Sequence, residues 1–345
     1  MKLAVVLFNL GGPDSLGGVE PFLRNLFSDR GVIDLPAIFR LPLARFIARN
    51  RAPVARVIYE RLGGGSPILA ETEAQARALE KALSASTHDV RVFVAMRHSE
   101  PFSDAAVRAV KSWDPDRVVM LPLYPQFSTT TSGSSFAEWH RVARRAGLTA
   151  KHVRVCCYPW DEGFIAAGAD LIQRTFTRAD GNVEYRLLLS AHGLPRRTVA
   201  KGDPYQWQIE RTADALVERL GMRGLDWRVC YQSRVGPLEW IGPATDEEIR
   251  RAGREGRGVI VAPIAFVSEH SETLVELDMD YADVARASGV PDYLRVPAVG
   301  VHEAFIDGLS RLVLKAVERG AVITCGEGQL CPTDSRACGF NEGRP

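Results

Sequence analysis

Arg117-Val-Val-Met-Leu-Pro-Leu-Tyr-Pro125 and Gly258-Val-Ile-Val-Ala-Pro-Ile-Ala-Phe266 are two versions of one pattern, an apolar run with proline at its sixth position. Three further pairs fall in the same order around them. Leu3-Ala-Val-Val-Leu-Phe-Asn-Leu-Gly-Gly-Pro13 matches Arg186-Leu-Leu-Leu-Ser-Ala-His-Gly-Leu-Pro195. Arg91-Val-Phe-Val-Ala-Met-Arg-His98 matches Arg228-Val-Cys-Tyr-Gln-Ser-Arg234, and His152-Val-Arg-Val-Cys-Cys-Tyr-Pro159 matches Tyr293-Leu-Arg-Val-Pro297. The runs are continuous rather than alternating, as strands covered on both faces require. Helical segments separate them: Ala70 to Ser84, Pro204 to Leu220, and a helix opened by a capping box at Thr245-Asp-Glu-Glu248. Strand and helix in alternation predict parallel sheets. The expected fold is α/β: two similar doubly wound, Rossmann-like domains, each a four-stranded parallel sheet flanked by helices. The boundaries read as 1–150, with an insertion at about 14–68, then 151–320, and a tail over 321–345.

Composition bounds the function. The chain has 345 residues, 46% hydrophobic and 25% charged, with a formal net charge of +1. No basic field of the kind that draws nucleic acid is present. The N-terminus lacks a signal-peptide pattern, and no apolar run reaches the length of a membrane span. Of six cysteines, Cys156, Cys157, Cys230, Cys325, Cys331 and Cys338, half crowd the tail, unlike a distributed disulfide framework. A cytoplasmic protein is expected. Inside the insertion, Leu35 to Arg51 interleaves apolar and arginine residues, which suits an interfacial lip or a core helix with a solvated arginine face.

Open α/β sheets bind ligands beyond the carboxyl ends of their strands. Those ends carry Asn9 with Gly11-Gly12, Arg97-His98, the segment from Tyr124 to Ser135, Ser190-Ala-His192 and Gln232-Ser-Arg234. The strand ending near Phe266 empties into Glu269, His270, Glu272, Glu276, Asp280 and Asp283, and the spacing of Glu272, Glu276, Asp280 and Asp283 makes one acidic stripe on an α-helix. Imidazoles beside carboxylates at strand ends suit proton transfer or handling of a divalent cation. The glycine loops argue less. Gly11-Gly12-Pro13 is not a dinucleotide fingerprint, no phosphate-binding Gly-x-x-x-x-Gly-Lys-Ser/Thr occurs, and Gly63-Gly-Gly-Ser-Pro67 reads as a helix stop.

Phe8-Asn-Leu-Gly-Gly-Pro13, Gly63-Gly-Gly-Ser-Pro67, Tyr124-Pro-Gln-Phe127, Ser190-Ala-His-Gly-Leu-Pro195, Gly202-Asp-Pro-Tyr205, Tyr231-Gln-Ser-Arg-Val-Gly-Pro237 and Phe266 to Asp278 together resemble ferrochelatase, in family order across nearly the whole chain. The resemblance implies a chelatase-like fold and insertion of Fe2+ into protoporphyrin IX with release of two protons, the last step of haem synthesis. It implies that His192 and Glu272 face one another across the macrocycle and handle the pyrrole protons and the Fe2+, with His270 and Glu276 behind Glu272. It also implies a porphyrin pocket lined by Leu10, Tyr59, Arg97, His98, Tyr124, Trp240 and Phe266, with Arg97 as partner of a propionate. Leu10 stands where animal members carry Met, and His98 where they carry Tyr. Membership favours Leu35 to Arg51 as a pocket lip touching a membrane. Related chemistries are a coproporphyrin ferrochelatase, a cobalt chelatase, and an iron–sulfur redox sensor on a chelatase scaffold.

Cys325-x5-Cys331-x6-Cys338 alone admits free thiols, zinc or an iron–sulfur centre. Some ferrochelatases carry a [2Fe-2S] cluster on three tail cysteines and one internal cysteine. The internal position of the animal pattern is Thr129 here, which passes the role of fourth ligand to Cys157, or to Cys156 beside it. Cluster-bearing relatives also imply a homodimer.

Overall fold

A computed structural model describes residues 1–234, 236 and 238–340. The chain forms two compact units. The first holds Met1–Tyr158, Leu309–Leu330 and the stretch from Gly339, and the second holds Pro159–Gly308 and Cys331–Cys338. The division therefore lies at 158/159 rather than 150/151. The chain from Leu309 returns to the first unit, so the second ends before the expected residue 320, and the tail is shared rather than separate.

Nine strands are described: β1 (Lys2–Asn9), β2 (Asp89–Met96), β3 (Arg117–Pro122), β4 (Lys151–Cys157), β5 (Tyr185–His192), β6 (Asp226–Gln232), β7 (Gly258–Pro263), β8 (Tyr293–Arg295) and β9 (Ile323–Thr324). The first unit's sheet runs β2-β1-β3-β4-β9 and the second's β6-β5-β7-β8. All pairings are parallel. The first four strands of each unit thus share one order, which is the duplication read from the sequence. The fifth strand was not expected. Ile323 and Thr324 pair with the free edge of β4, which covers an edge that would otherwise expose unpaired main-chain groups.

Burial explains the runs. Leu3 to Phe8 and Val259 to Ala262 are 2% exposed or less, because helices cover both faces of each sheet. The first core joins Phe8, Phe136, Trp139 and Met120, with Phe8 edge-on to both Phe136 and Trp139. The second joins Leu188, Cys230, Ile249, Val261 and Leu277.

Two local readings need correction. Thr245 does not cap the helix Thr245–Arg254; Glu247, not Glu248, reaches back to the main-chain nitrogen of Ala244. The Thr245 hydroxyl is spent on Ser190. The second correction concerns the insertion, where the helix Ala37–Glu60 is amphipathic in reverse. Its buried positions are Ala44, Ala48, Ala52 and Tyr59. Small residues four apart let it lie close against the helix Val19–Ser28, since helix separation follows the side chains at the contact. The large side chains point the other way: Ile38, Phe39, Phe46 and Val54 are 75%, 64%, 65% and 68% exposed. This is not a core helix with a solvated arginine face. Gly63 and Gly64, both at positive φ, close the helix against the carbonyls of Glu60 and Tyr59, the stop read from the glycine run.

Candidate active site

In the second unit three titratable groups form a row. His192 closes β5, and its Nδ1–H donates to the carbonyl of Gly193 at 2.6 Å. His270 follows β7, and its Nδ1–H donates to the carbonyl of Ser268 at 3.0 Å. Anchoring Nδ1 on a main-chain oxygen fixes the tautomer and frees Nε2. Both Nε2 atoms point at Glu272, His192 toward Oε1 and His270 toward Oε2, each at 3.7 Å. Exposure falls along the row, with side chains 39%, 25% and 8% exposed for His192, Glu272 and His270.

Burial alone would raise the Glu272 carboxyl, but His192 and His270 on either side hold it down at about 2. Burial likewise opposes the His270 cation, yet Glu272 raises its pKa above the usual imidazole value. Glu272 is therefore held as a carboxylate, and its charge favours the protonated form of His270. The imidazoles address different oxygens, so the three groups make a relay rather than a three-donor cage.

A macrocycle stacked between His192 and Glu272 would need roughly 7 Å, two van der Waals contacts. The 3.7 Å found leaves no room.

Glu276 sits one turn on, and four donors fix its carboxylate: Gln232 Nε2 (3.0 Å), Ser233 N–H (2.8 Å), Ser233 Oγ–H (2.5 Å) and Tyr281 Oη–H (3.0 Å). Burial, then the neighbouring Glu272, still raises its pKa. The segment Glu272–Asp280 is a π-helix, not the α-helix behind the acidic-stripe reading. The wider turn lets Tyr281, five residues on, return to Glu276 through both its N–H and its hydroxyl. Ser233 holds a left-handed conformation, φ 60°, rare for a side-chain-bearing residue and typical of functional turns. Glu276 and Asp280 then border a cavity of about 290 Å³ with Ser233, Asp246 and Tyr281. Asp283 is exposed and pairs with Arg286 instead.

Trp240 and Phe266 flank the row. The Phe266 ring is edge-on to His270 at 4.7 Å. Trp240 bridges to Pro195 and lies over Gly193, where an added Cβ would be 3.1 Å from the indole. That close approach is why glycine follows His192. The Trp240 Nε1 is buried without a hydrogen-bond partner.

The expected pocket residues of the first unit are placed differently. Arg97 pairs with Asp29 at 2.9 Å and donates to Ser134 Oγ at 2.8 Å, so its charge already has a carboxylate partner. His98 is 1% exposed, and burial, then Arg97, lowers it to about 3. It is a buried, neutral ring beside Arg97 and Asp29. Tyr59 is buried in the small core of the insertion, whereas Leu10 and Tyr124 are partly exposed beyond β1 and β3. Asp29 carries no sequence signal, lying far from Arg97 in the chain. Tyr281 was hidden by the assumption of α-helical spacing.

The cysteines divide as well. Cys157 and Cys325 meet in the first unit, where Cys325 N–H donates to the carbonyl of Cys157 at 3.2 Å. Cys156 and Cys157 are both buried in that unit's core. Cys331 and Cys338 belong to the second unit, where Gln208 Nε2 donates to Cys331 Sγ at 3.0 Å. Among the described residues no three His, Cys, Asp or Glu side chains are placed to hold a metal ion, so the geometry gives the expected cluster no support.

Known proteins match this arrangement. The family model for ferrochelatase matches residues 2–317. A ferrochelatase from Phenylobacterium zucineum is 52% identical over 345 residues, covering 99% of each chain. One from Pelagibacter ubique is 47% identical over 92% of each. Among solved structures, SirB from Bacillus subtilis with Fe3+ covers 93% of this chain and 96% of its own at a TM-score of 0.52 and 14% identity, a likeness of fold. The family model, the near full-length relatives and the row of His192, Glu272 and His270 agree: this chain belongs to the ferrochelatase family.

Proposed function

We propose that this ferrochelatase inserts Fe2+ into protoporphyrin IX through the row of His192, Glu272 and His270, working from one face of the macrocycle. Metal insertion must remove two pyrrole protons as the metal–nitrogen bonds form. What supports the assignment is the pair of tethered imidazoles aimed at one buried carboxylate. His192, the most exposed of the three, presents Nε2 to a pyrrole N–H or to the arriving cation. Glu272 is ionised and takes up positive charge in either form, proton or metal. His270 holds that carboxylate in place and balances its charge. Glu276 and the acidic cavity beyond it offer protons a way out, or Fe2+ a way in.

In an anaerobic assay with Fe2+ and protoporphyrin IX, the protein forms haem. His192→Ala and Glu272→Gln each lower turnover by about 100-fold or more while porphyrin still binds. Near-normal turnover by either variant contradicts the role given to that residue.

The same purified protein tests a separate proposal, that Cys157, Cys325, Cys331 and Cys338 bind a [2Fe-2S] cluster. Its support is the resemblance to cluster-bearing ferrochelatases, with Cys156 as the alternative fourth ligand, since the spacing alone also admits free thiols or zinc. Thiolate-to-iron bands in the visible spectrum are the expected result, and a colourless protein that makes haem rejects it.

We further propose that this protein meets a lipid surface through the helix Ala37–Glu60. The support is the outward face of Ile38, Phe39, Phe46 and Val54, beside Arg45 and Arg49. No helix among the described residues is long and apolar enough to cross a membrane, so the contact would be peripheral. An apolar lip suits protoporphyrin better than a four-carboxylate porphyrin. Replacing Phe39 and Phe46 together by Glu should weaken vesicle binding more than about tenfold, since each ring buries some 1.5–3 kcal/mol. The melting temperature should hold because both rings are exposed. Unchanged vesicle binding refutes the contact.

The His270 pair also sets a pH dependence. His270 titrates at about 6.5 when unfolded and higher when folded. Its contribution to stability is complete below 6.5 and is lost as pH rises through the folded value. The melting-temperature gap between wild type and His270→Gln should therefore be wider at about pH 6 than at about pH 9. An equal gap at both contradicts the ion pair.

A further inference from the structure

Gln232 is the last residue of β6 and is fully buried, although it is polar and stands beside no charged group of its own strand. Its carbonyl Oε1 accepts the hydroxyl of Ser190 at 2.9 Å. Its Nε2 donates to the main-chain oxygen of Glu272 at 2.9 Å and to Oε2 of Glu276 at 3.0 Å. Two amide hydrogens meet two acceptors, which accounts for the whole donor capacity of the group.

The amide is held the right way round by a chain that starts further back. Ser190 lies on β5 two residues before His192, and its hydroxyl is 2.9 Å from that of Thr245. Ser190 spends its one hydrogen on Gln232, so Thr245 donates to Ser190. A flipped amide would set its oxygen against the Glu272 carbonyl and the Glu276 carboxylate, two oxygen–oxygen contacts with no hydrogen between them. The main chain adds a second link, because the carbonyl of Gln232 accepts the N–H of Gly193 at 2.8 Å. One residue thus touches the turn that carries His192 and the first turn of the π-helix that carries Glu272.

We propose that Gln232 is the positioning residue that sets the distance between His192 and Glu272. It touches neither the substrate nor the transferred protons. Its backbone fixes the β5 turn, and its side chain fixes where the π-helix begins. Ser190 and Thr245 preset its orientation. Hydrogen bonds weaken steeply with angle, so the amide ties both acceptors only in this orientation. A side chain that fills the space without donating would leave the core packed and Glu276 held by Ser233 and Tyr281, but would untie the Glu272 main chain from β6. This inference rests on the roles given above to His192 and Glu272.

The test compares Gln232→Met, which keeps the volume and removes both donors, with Ser190→Ala, which leaves the amide but removes its orienting hydrogen. Initial anaerobic rates are taken against Fe2+ and against protoporphyrin, with porphyrin binding by fluorescence and thermal melts alongside. Gln232→Met should lower kcat about tenfold or more and raise the KM for Fe2+, with porphyrin binding within twofold of wild type. Ser190→Ala should show the same split at a smaller size. Wild-type metal kinetics in a folded Gln232→Met, or losses shared equally by metal and porphyrin, would overturn the proposal. If Gln232→Met melts too low to assay, Ser190→Ala decides on the same two criteria. Failure of the wild-type protein to insert iron would instead refute the functional reading on which this rests.

Discussion

One carboxylate, Glu272, carries a negative charge where burial opposes it. Taking a carboxylate out of water is expensive unless hydrogen-bonded or oppositely charged groups replace the water. Here the replacement is two imidazoles, each tied by Nδ1 to a main-chain carbonyl and each turning Nε2 toward a different oxygen. The rest of the second unit can be understood as what such a charge requires. Strand ends deliver the two histidines, a π-helix sets Glu272 between them, and Gln232 ties the π-helix back to the sheet.

The same arrangement suits metal insertion. A porphyrin nitrogen must lose a proton and gain a cation at one point. A base and an anion in line, backed by a second imidazole that steadies the anion, can take up positive charge in either form without large movement, which preorganisation favours. Glu276 shows a related design. Four donors hold it, while burial and Glu272 push its pKa up. A carboxylate so gripped keeps its position when its neighbour changes charge.

Much of this was legible in the sequence because parallel strands covered on both faces must be continuous apolar runs. The four paired runs are the four strands that recur in one order in both sheets, an order only the structure shows. His192, His270 and Glu272 were legible because strand ends are where α/β folds place chemistry. What escaped has physical reasons too. The π-helix has no simple periodic signature, so Tyr281 could not be paired with Glu276 from spacing. The helix Ala37–Glu60 buries alanines and exposes phenylalanines, against the rule by which amphipathic faces are read. Asp29 reaches Arg97 across a distance in sequence that no local pattern encodes. Thr245 looked like a cap because caps and buried hydroxyl chains use the same residue type.

The central claim is that His192 and Glu272 work from one face of the macrocycle. A crystal structure with an N-alkylated porphyrin, which mimics the bent substrate, addresses it directly. The account predicts both side chains on the same side of the ring, within hydrogen-bonding reach of one another or of a shared ion. A porphyrin lying between His192 and Glu272, with the pair driven apart to the roughly 7 Å that stacking demands, would contradict it.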